Sequence, residues 1–198
     1  MAALALASCP SAHSASTLTI DVDKPGHTIS PTLYGIFFED INCSADGGLY
    51  AELVRNRNFE DSQQPDHWTV ISSGSAQVLM QVDASQALSK SNPHALKVQV
   101  ISPGGKRTGV ANEGFWGIPI AQGETYNLSF FAKGAGGYKG PLTASLESAD
   151  GAIQATAKLK ALKPDWTEYK LSLTAGATDP KARLVISTTR AGTFWLDM

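Results

Sequence analysis

From about residue 60 onward the chain is built from short runs in which apolar and polar residues alternate. This period of two constrains the fold more than any other feature of the sequence. Ala76, Val78, Met80 and Val82 alternate with their neighbours. So do Leu96, Val98 and Val100, then Tyr126, Leu128, Phe130 and Ala132. Leu142, Ala144 and Leu146 follow, then Tyr169, Leu171 and Leu173, then Ala182, Leu184 and Ile186. The turn signals "SNPH", "SPGG", "AQGE", "GAGG", "SADG", "KPDW" and "TDPK" separate them. Each such strand has one apolar face, and two stacked antiparallel sheets bury all of those faces together. Residues 61–198 therefore predict a mainly β domain, an antiparallel β-sandwich. The closing run "GTFWLDM" still reads as a strand, with no turn or polar tail after it. That predicts a sandwich truncated at its last strand, inside a longer protein.

Residues 17–60 carry a different pattern. "TLTIDVD" (17–23) alternates like a half-buried strand, and "KPGH" turns the chain. "PTLYGIFFED" is continuously apolar, as a strand buried on both faces is in a parallel sheet or barrel. Asp46 stands where a helix cap would, and Leu49, Tyr50, Leu53 and Val54 share one helical stripe. Arg55 and Arg57 fall where a helix C-terminus favours cations. Strand, buried strand, helix is the opening of an α/β unit.

Residues 1–16, small, apolar and then Ser/Ala-rich, predict an export leader. Two processing routes stay open: "AHSA" resembles a cleavage site, and "LASC" resembles a lipoprotein box that would place a lipid anchor on Cys9. Cys43 then has no partner, so no structural disulfide is expected. The net charge of −2 gives no footprint for nucleic acid, and no apolar run is long enough to span a membrane. No phosphate-binding, dinucleotide or zinc motif is present, and no cofactor is expected.

"ISPTLYGIFFEDIN" followed by "ADGGLYAELVRNRNFE" resembles the N-terminus of the α-L-arabinofuranosidases of glycoside hydrolase family 51. "HALKVQV", "NEGFWGIPI", "ETYNLSFFAKG", "DWTEYKLSL" and "TFWLDM", in that order, resemble a CenC-type carbohydrate-binding module inserted in one branch of that family. The resemblance implies a jelly-roll-like module over 61–198, preceded by the first strands and helix of an incomplete (β/α)8 barrel. It implies a secreted, periplasmic or cell-surface enzyme that removes terminal arabinofuranosyl residues from arabinan or arabinoxylan by a retaining mechanism. A standalone carbohydrate-binding protein and a purely structural module are the alternatives.

Glu39 and Asp40 tempt a catalytic reading. Neighbouring strand residues point to opposite faces, and a retaining glycosidase needs two carboxyl groups about 5–5.5 Å apart. The pair fails that test. The resemblance places both catalytic glutamates in later barrel strands outside this chain, so no catalytic residue is assigned and the 198 residues alone are expected to be inactive. Glu39 matches the glutamate that binds an arabinofuranosyl hydroxyl in that family, and Asn42 is a candidate for the same substrate-binding mouth. Asp40 is expected to be a structural acceptor. Asn112-Glu113 imitates a glycosidase acid/base motif but falls inside the sandwich. Among the aromatics, Trp166 and Trp195 are expected to pack, whereas Trp116, flanked by Gly and Pro in "GFWGIP", is the candidate for carbohydrate binding. Modules of this type often hold calcium, and Glu60 and Asp197 are the matching positions. Two carboxylates fall short of the six or more oxygens calcium takes, so no metal is assigned.

Overall fold

The structure, a computed structural model, describes residues 17–35 and 37–198. The proposed leader and Cys9 lie outside them. The chain divides into two units between Phe38 and Glu39.

The larger unit holds eleven strands and, among the described residues, no helix. They are β1 (Trp68–Ile71), β2 (Gln77–Asp83), β3 (Ala95–Ser102), β4 (Thr108–Asn112), β5 (Ile118–Ile120), β6 (Thr125–Ala135), β7 (Leu142–Glu147), β8 (Ile153–Leu159), β9 (Thr167–Thr174), β10 (Asp179–Thr188) and β11 (Gly192–Asp197). One sheet runs β1-β4-β10-β7-β8, with β5 also pairing β10; the other runs β2-β3-β11-β6-β9. All the paired strands are antiparallel. The expected sandwich is therefore the observed one. Because the side-chain period is two, Leu96, Val98, Phe130, Phe194 and Leu196 of one sheet meet Val110, Leu142, Leu146, Leu184 and Ile186 of the other in a single core. Each fully buried side chain of this kind stabilises the fold by about 1.5–3 kcal/mol. The closing strand β11 is central, paired with β3 on one side and β6 on the other.

Tyr138 pins one end of the core. Its ring stacks on Phe194 with centroids 5.8 Å apart, and its hydroxyl donates to Thr188 Oγ1 at 2.8 Å. Gly192 lies against that ring with φ of 151°, and a Cβ there would stand 2.2 Å from Tyr138 Cδ2. Gly192→Ala is expected to cost about 1–3 kcal/mol in urea unfolding, the range for overpacking a tight core. An unchanged midpoint would refute the contact.

The strand–strand–helix opening does not appear. Residues 17–23 and the described part of 34–39 carry no ladder, and Leu18, Val22 and Phe37 are 85%, 83% and 87% exposed. An extended segment without a partner strand leaves its N–H and C=O groups to water, so its apolar residues alone cannot fix it as a strand. Residues 46–57 form turns instead of a helix. Asp46 pairs with Arg57 at 2.7 Å, and Arg57 also meets Glu52 at 3.5 Å. Leu49 and Tyr50, half of the expected stripe, are 78% and 63% exposed. Leu53 and Val54 do pack against the core, so the four residues share no single buried face, and a short helix without one is marginal in water.

Candidate functional site

Glu39 is exposed, and its backbone carbonyl accepts a hydrogen bond from Ser44 Oγ. Asp40 Oδ1 accepts the backbone N–H of Ala45 at 3.0 Å, a structural role as expected. Asn42 is exposed in the left-handed region at φ 55°, a conformation Asn tolerates well. The structure thus puts Glu39 and Asn42 in one turn and sets no second carboxylate against Glu39 by hydrogen bonding.

The aromatics separate by environment. Trp68 lies in the core, its indole N–H donating to Asn56 O at 3.0 Å. Trp195 points to the outer face of its sheet yet is only 6% exposed; its N–H donates to Asp83 Oδ2 at 2.6 Å, and Lys97 and Lys133 stand over its ring. Trp166 donates to Gln86 O and Ala87 O. These three are packed. Trp116 is 67% exposed.

The loop that carries Trp116 is held from both ends. Asn112, fully buried, closes β4. Its Oδ1 accepts from Gly114 N at 2.9 Å and Arg55 N at 3.2 Å, while its Nδ2 donates to Arg55 O at 2.9 Å and His67 O at 3.2 Å. The backbone of Gly117 donates to Glu113 O at 3.0 Å. At φ 100° with a would-be Cβ 2.7 Å from Lys181 Cα, position 117 admits only glycine. Phe115 braces the tryptophan from behind, with centroids 6.2 Å apart, and Arg55 sits 5.7 Å over the Phe115 ring. Asn112-Glu113 is thus a hinge pin and an exposed loop residue, with no barrel strand around it.

β4 ends opposite Leu184 and β5 begins opposite Ala182, so the loop leaves the sheet beside Arg183. The outer face there carries a charged cluster that no motif in the sequence announced. Arg107 precedes β4 and reaches across β10 to β7, where its Nη1 donates to Ser145 Oγ at 3.2 Å and to Glu147 Oε1, and its Nη2 donates to Glu147 Oε2 at 3.2 Å. Glu147 is fully buried, and Arg183 Nη2 stands 3.8 Å from its Oε2. The alternation of β7 and β10 was the only available signal, since it turns Glu147 and Arg183 away from the core.

Glu60 and Asp197 also come together. Glu60 accepts from His94 N at 2.9 Å and lies 2.6 Å from its Nδ1. Partial burial raises the Glu60 carboxyl, but the His94 hydrogen bonds and charge outweigh it and hold it below the usual range. Asp197 accepts from Asn92 Nδ2 at 2.6 Å and from Met198 N at 2.8 Å. Burial pushes its carboxyl up to about 7, with the Glu60 charge adding to the rise against those two hydrogen bonds. Among the described residues no group of three His, Cys, Asp or Glu could hold a metal ion. Both carboxylates are turned to nitrogen donors, which does not fit a calcium cage.

A model of the carbohydrate binding domain family matches residues 51–193. α-L-Arabinofuranosidase 1 of Arabidopsis thaliana is 36% identical, covering 92% of this chain and 28% of that protein. An extracellular exo-α-L-arabinofuranosidase of Streptomyces chartreusis is 35% identical, covering 92% of this chain and 21% of its own length. An arabinose-bound α-L-arabinofuranosidase of glycoside hydrolase family 51 superposes with a TM-score of 0.74 at 30% identity, over 83% of this chain and 28% of that one. The chain thus spans about a quarter of the length of these relatives. It belongs to the carbohydrate binding domain family through residues 51–193, and the whole similarity fits the module-bearing N-terminal portion of a family 51 arabinofuranosidase.

Proposed function

We propose that this chain is the N-terminal part of a secreted α-L-arabinofuranosidase that hydrolyses terminal non-reducing arabinofuranosyl residues of arabinan and arabinoxylan with retention. The carrying observation is that similarity to proteins named arabinofuranosidase covers 92% of the chain, so it includes residues N-terminal to the sandwich as well as the sandwich itself. Glu39 and Asn42 contact the arabinofuranosyl unit in this reading, a carboxylate and an amide being good partners for sugar hydroxyls. The sandwich contacts the polysaccharide through Trp116 and the outer face beside it. An exposed, braced ring offers a flat apolar surface to a sugar at little entropic cost.

Retention needs two carboxyl groups about 5–5.5 Å apart around one bond. Glu39 and Asp40 are adjacent residues outside any strand, and Glu113 sits on the Trp116 loop. The purified 198-residue chain is therefore expected to release no product from an aryl arabinofuranoside, and turnover above a buffer blank would refute this. The enzyme reading itself is tested by the coding sequence after Met198. A frame that continues into a barrel with two glutamates supports it, and a stop codon there contradicts it. A structural-module reading draws on one observation, the packing of Phe115 against Gly47 and Arg55, which ties the Trp116 loop to the preceding segment.

A further inference from the structure

We propose that the outer face of the six-stranded sheet, beside the Trp116 loop, binds an acidic sugar, with Arg183 pairing the carboxylate of a uronic acid carried by the polysaccharide. This rests on the polysaccharide-contact reading above and specifies its ligand. Strand alternation sends Ala182, Leu184 and Ile186 into the core and turns Arg183 outward. The same rule turns Ser145 and Glu147 of β7 outward, and Lys158 of β8.

The charges on this face do not balance. On the regular part of this face three cations, Arg107, Lys158 and Arg183, share it with one strand carboxylate, Glu147, and Glu113 stands exposed on the adjoining loop. Glu147 already has its guanidinium: Arg107 grips it through both terminal nitrogens. Arg183 shares that carboxylate: its Nη2 stands 3.8 Å from Glu147 Oε2, so two guanidinium groups face one carboxylate and one positive charge is uncompensated. Both arginine side chains are partly exposed, at 31% and 21%, so an anion from solution can reach them. Neutral sugar hydroxyls can accept from a guanidinium, but only an anion also compensates its charge. A carboxylate matches the planar fork with two parallel bonds. The loop that carries Trp116 leaves the sheet beside Arg183, so a uronic acid paired with Arg183 would lie next to that loop.

A glucuronate branch on xylan and a galacturonate in pectin share this chemistry, and the test separates them. The 198-residue chain is titrated by calorimetry with xylotetraose bearing one glucuronate, with the same oligosaccharide after carboxyl reduction, and with trigalacturonate. The expected result is a preference of about tenfold or more for one acidic ligand over the reduced one at about 20 mM salt, shrinking at about 500 mM. The preferred acid identifies the source. Arg183→Gln is expected to remove the preference, and Arg183→Lys to keep part of it, with unchanged circular dichroism in both. Equal affinities for the acid and reduced forms overturn the proposal, as does a preference that survives Arg183→Gln. Binding of neutral arabinoxylan that depends on Trp116, with no acid preference, overturns this proposal while leaving the polysaccharide reading intact. An Arg183-dependent preference that is indifferent to Trp116→Ala supports the proposal and counts against the Trp116 contact.

Discussion

Asn112→Leu is expected to lower the free energy of unfolding by about 3–5 kcal/mol. The side chains share a branched outline, and the bulkier methyl groups of leucine add some overpacking, but most of the loss has another source. It comes from the four backbone groups that Asn112 satisfies: the N–H and C=O of Arg55, the C=O of His67 and the N–H of Gly114. Leucine abandons all of them at a position with no exposure. Each buried group left without a partner costs about 1–3 kcal/mol, with some recovered by water at the loop edge. Because the same amide anchors Arg55, and Arg55 backs Phe115, the variant should also loosen the Trp116 loop. Urea unfolding at neutral pH reads the first effect, and the emission of Trp116 reads the second. A loss under about 1 kcal/mol would mean that the loop and the 55–67 segment do not depend on this hydrogen-bond hub.

Asp197→Asn is expected to stabilise the protein at pH 8 and to flatten its pH dependence between pH 5 and 8. The Asp197 carboxyl is raised to about 7 in the folded state, chiefly by burial. An unfolded aspartate titrates near 3.9. Between those values the folded chain holds the proton that the unfolded chain has released. Stability is therefore full below about pH 4, falls as the pH rises through 7, and stays low above it. The whole difference is about 4 kcal/mol as an upper figure. The lowered carboxyls of Glu60, Asp83 and Asp179 act in the opposite sense, but only in acid, as the pH drops through their own depressed values. The window from pH 5 to 8 therefore belongs to Asp197 rather than to them. Asparagine keeps an acceptor for the Asn92 amide and carries no charge to bury. Urea midpoints measured at unit pH steps in metal-free buffer decide the matter. If wild type and variant have parallel profiles, the Asp197 carboxylate is not the buried charge described here.

The sandwich was legible because its core strands alternate. Phe130 and Ala132 face inward along β6, and Leu142, Ala144 and Leu146 along β7, as the period-two pattern requires. β4 escaped the pattern because it is buried along its whole length and is made of Thr, Gly, Val, Ala and Asn, which show no alternation. β8 was muted because two of its inward residues, Ala155 and Ala157, are small. The opening segment differs for another reason. Periodicity reports which face a segment would bury, not whether a partner is present, and Leu18, Ile20 and Val22 alternate without a partner strand among the described residues. The exposure of Trp116 was readable from its Gly and Pro neighbours, which also mark its loop. The Arg107–Glu147–Arg183 cluster was not readable, since it joins three strands whose adjacency comes only from the sheet order.

The central claim, that the sandwich is a polysaccharide-contacting module, is tested most directly by titrating the 198-residue chain with arabinoxylan beside its Trp116→Ala variant. Trp116 is largely exposed, so the substitution should leave the urea midpoint within about 0.5 kcal/mol of wild type. The expected result is saturable binding by the wild type that is lost, or weakened by about tenfold or more, in the variant. Absence of binding by a folded wild type, or equal binding by both proteins, would contradict the claim.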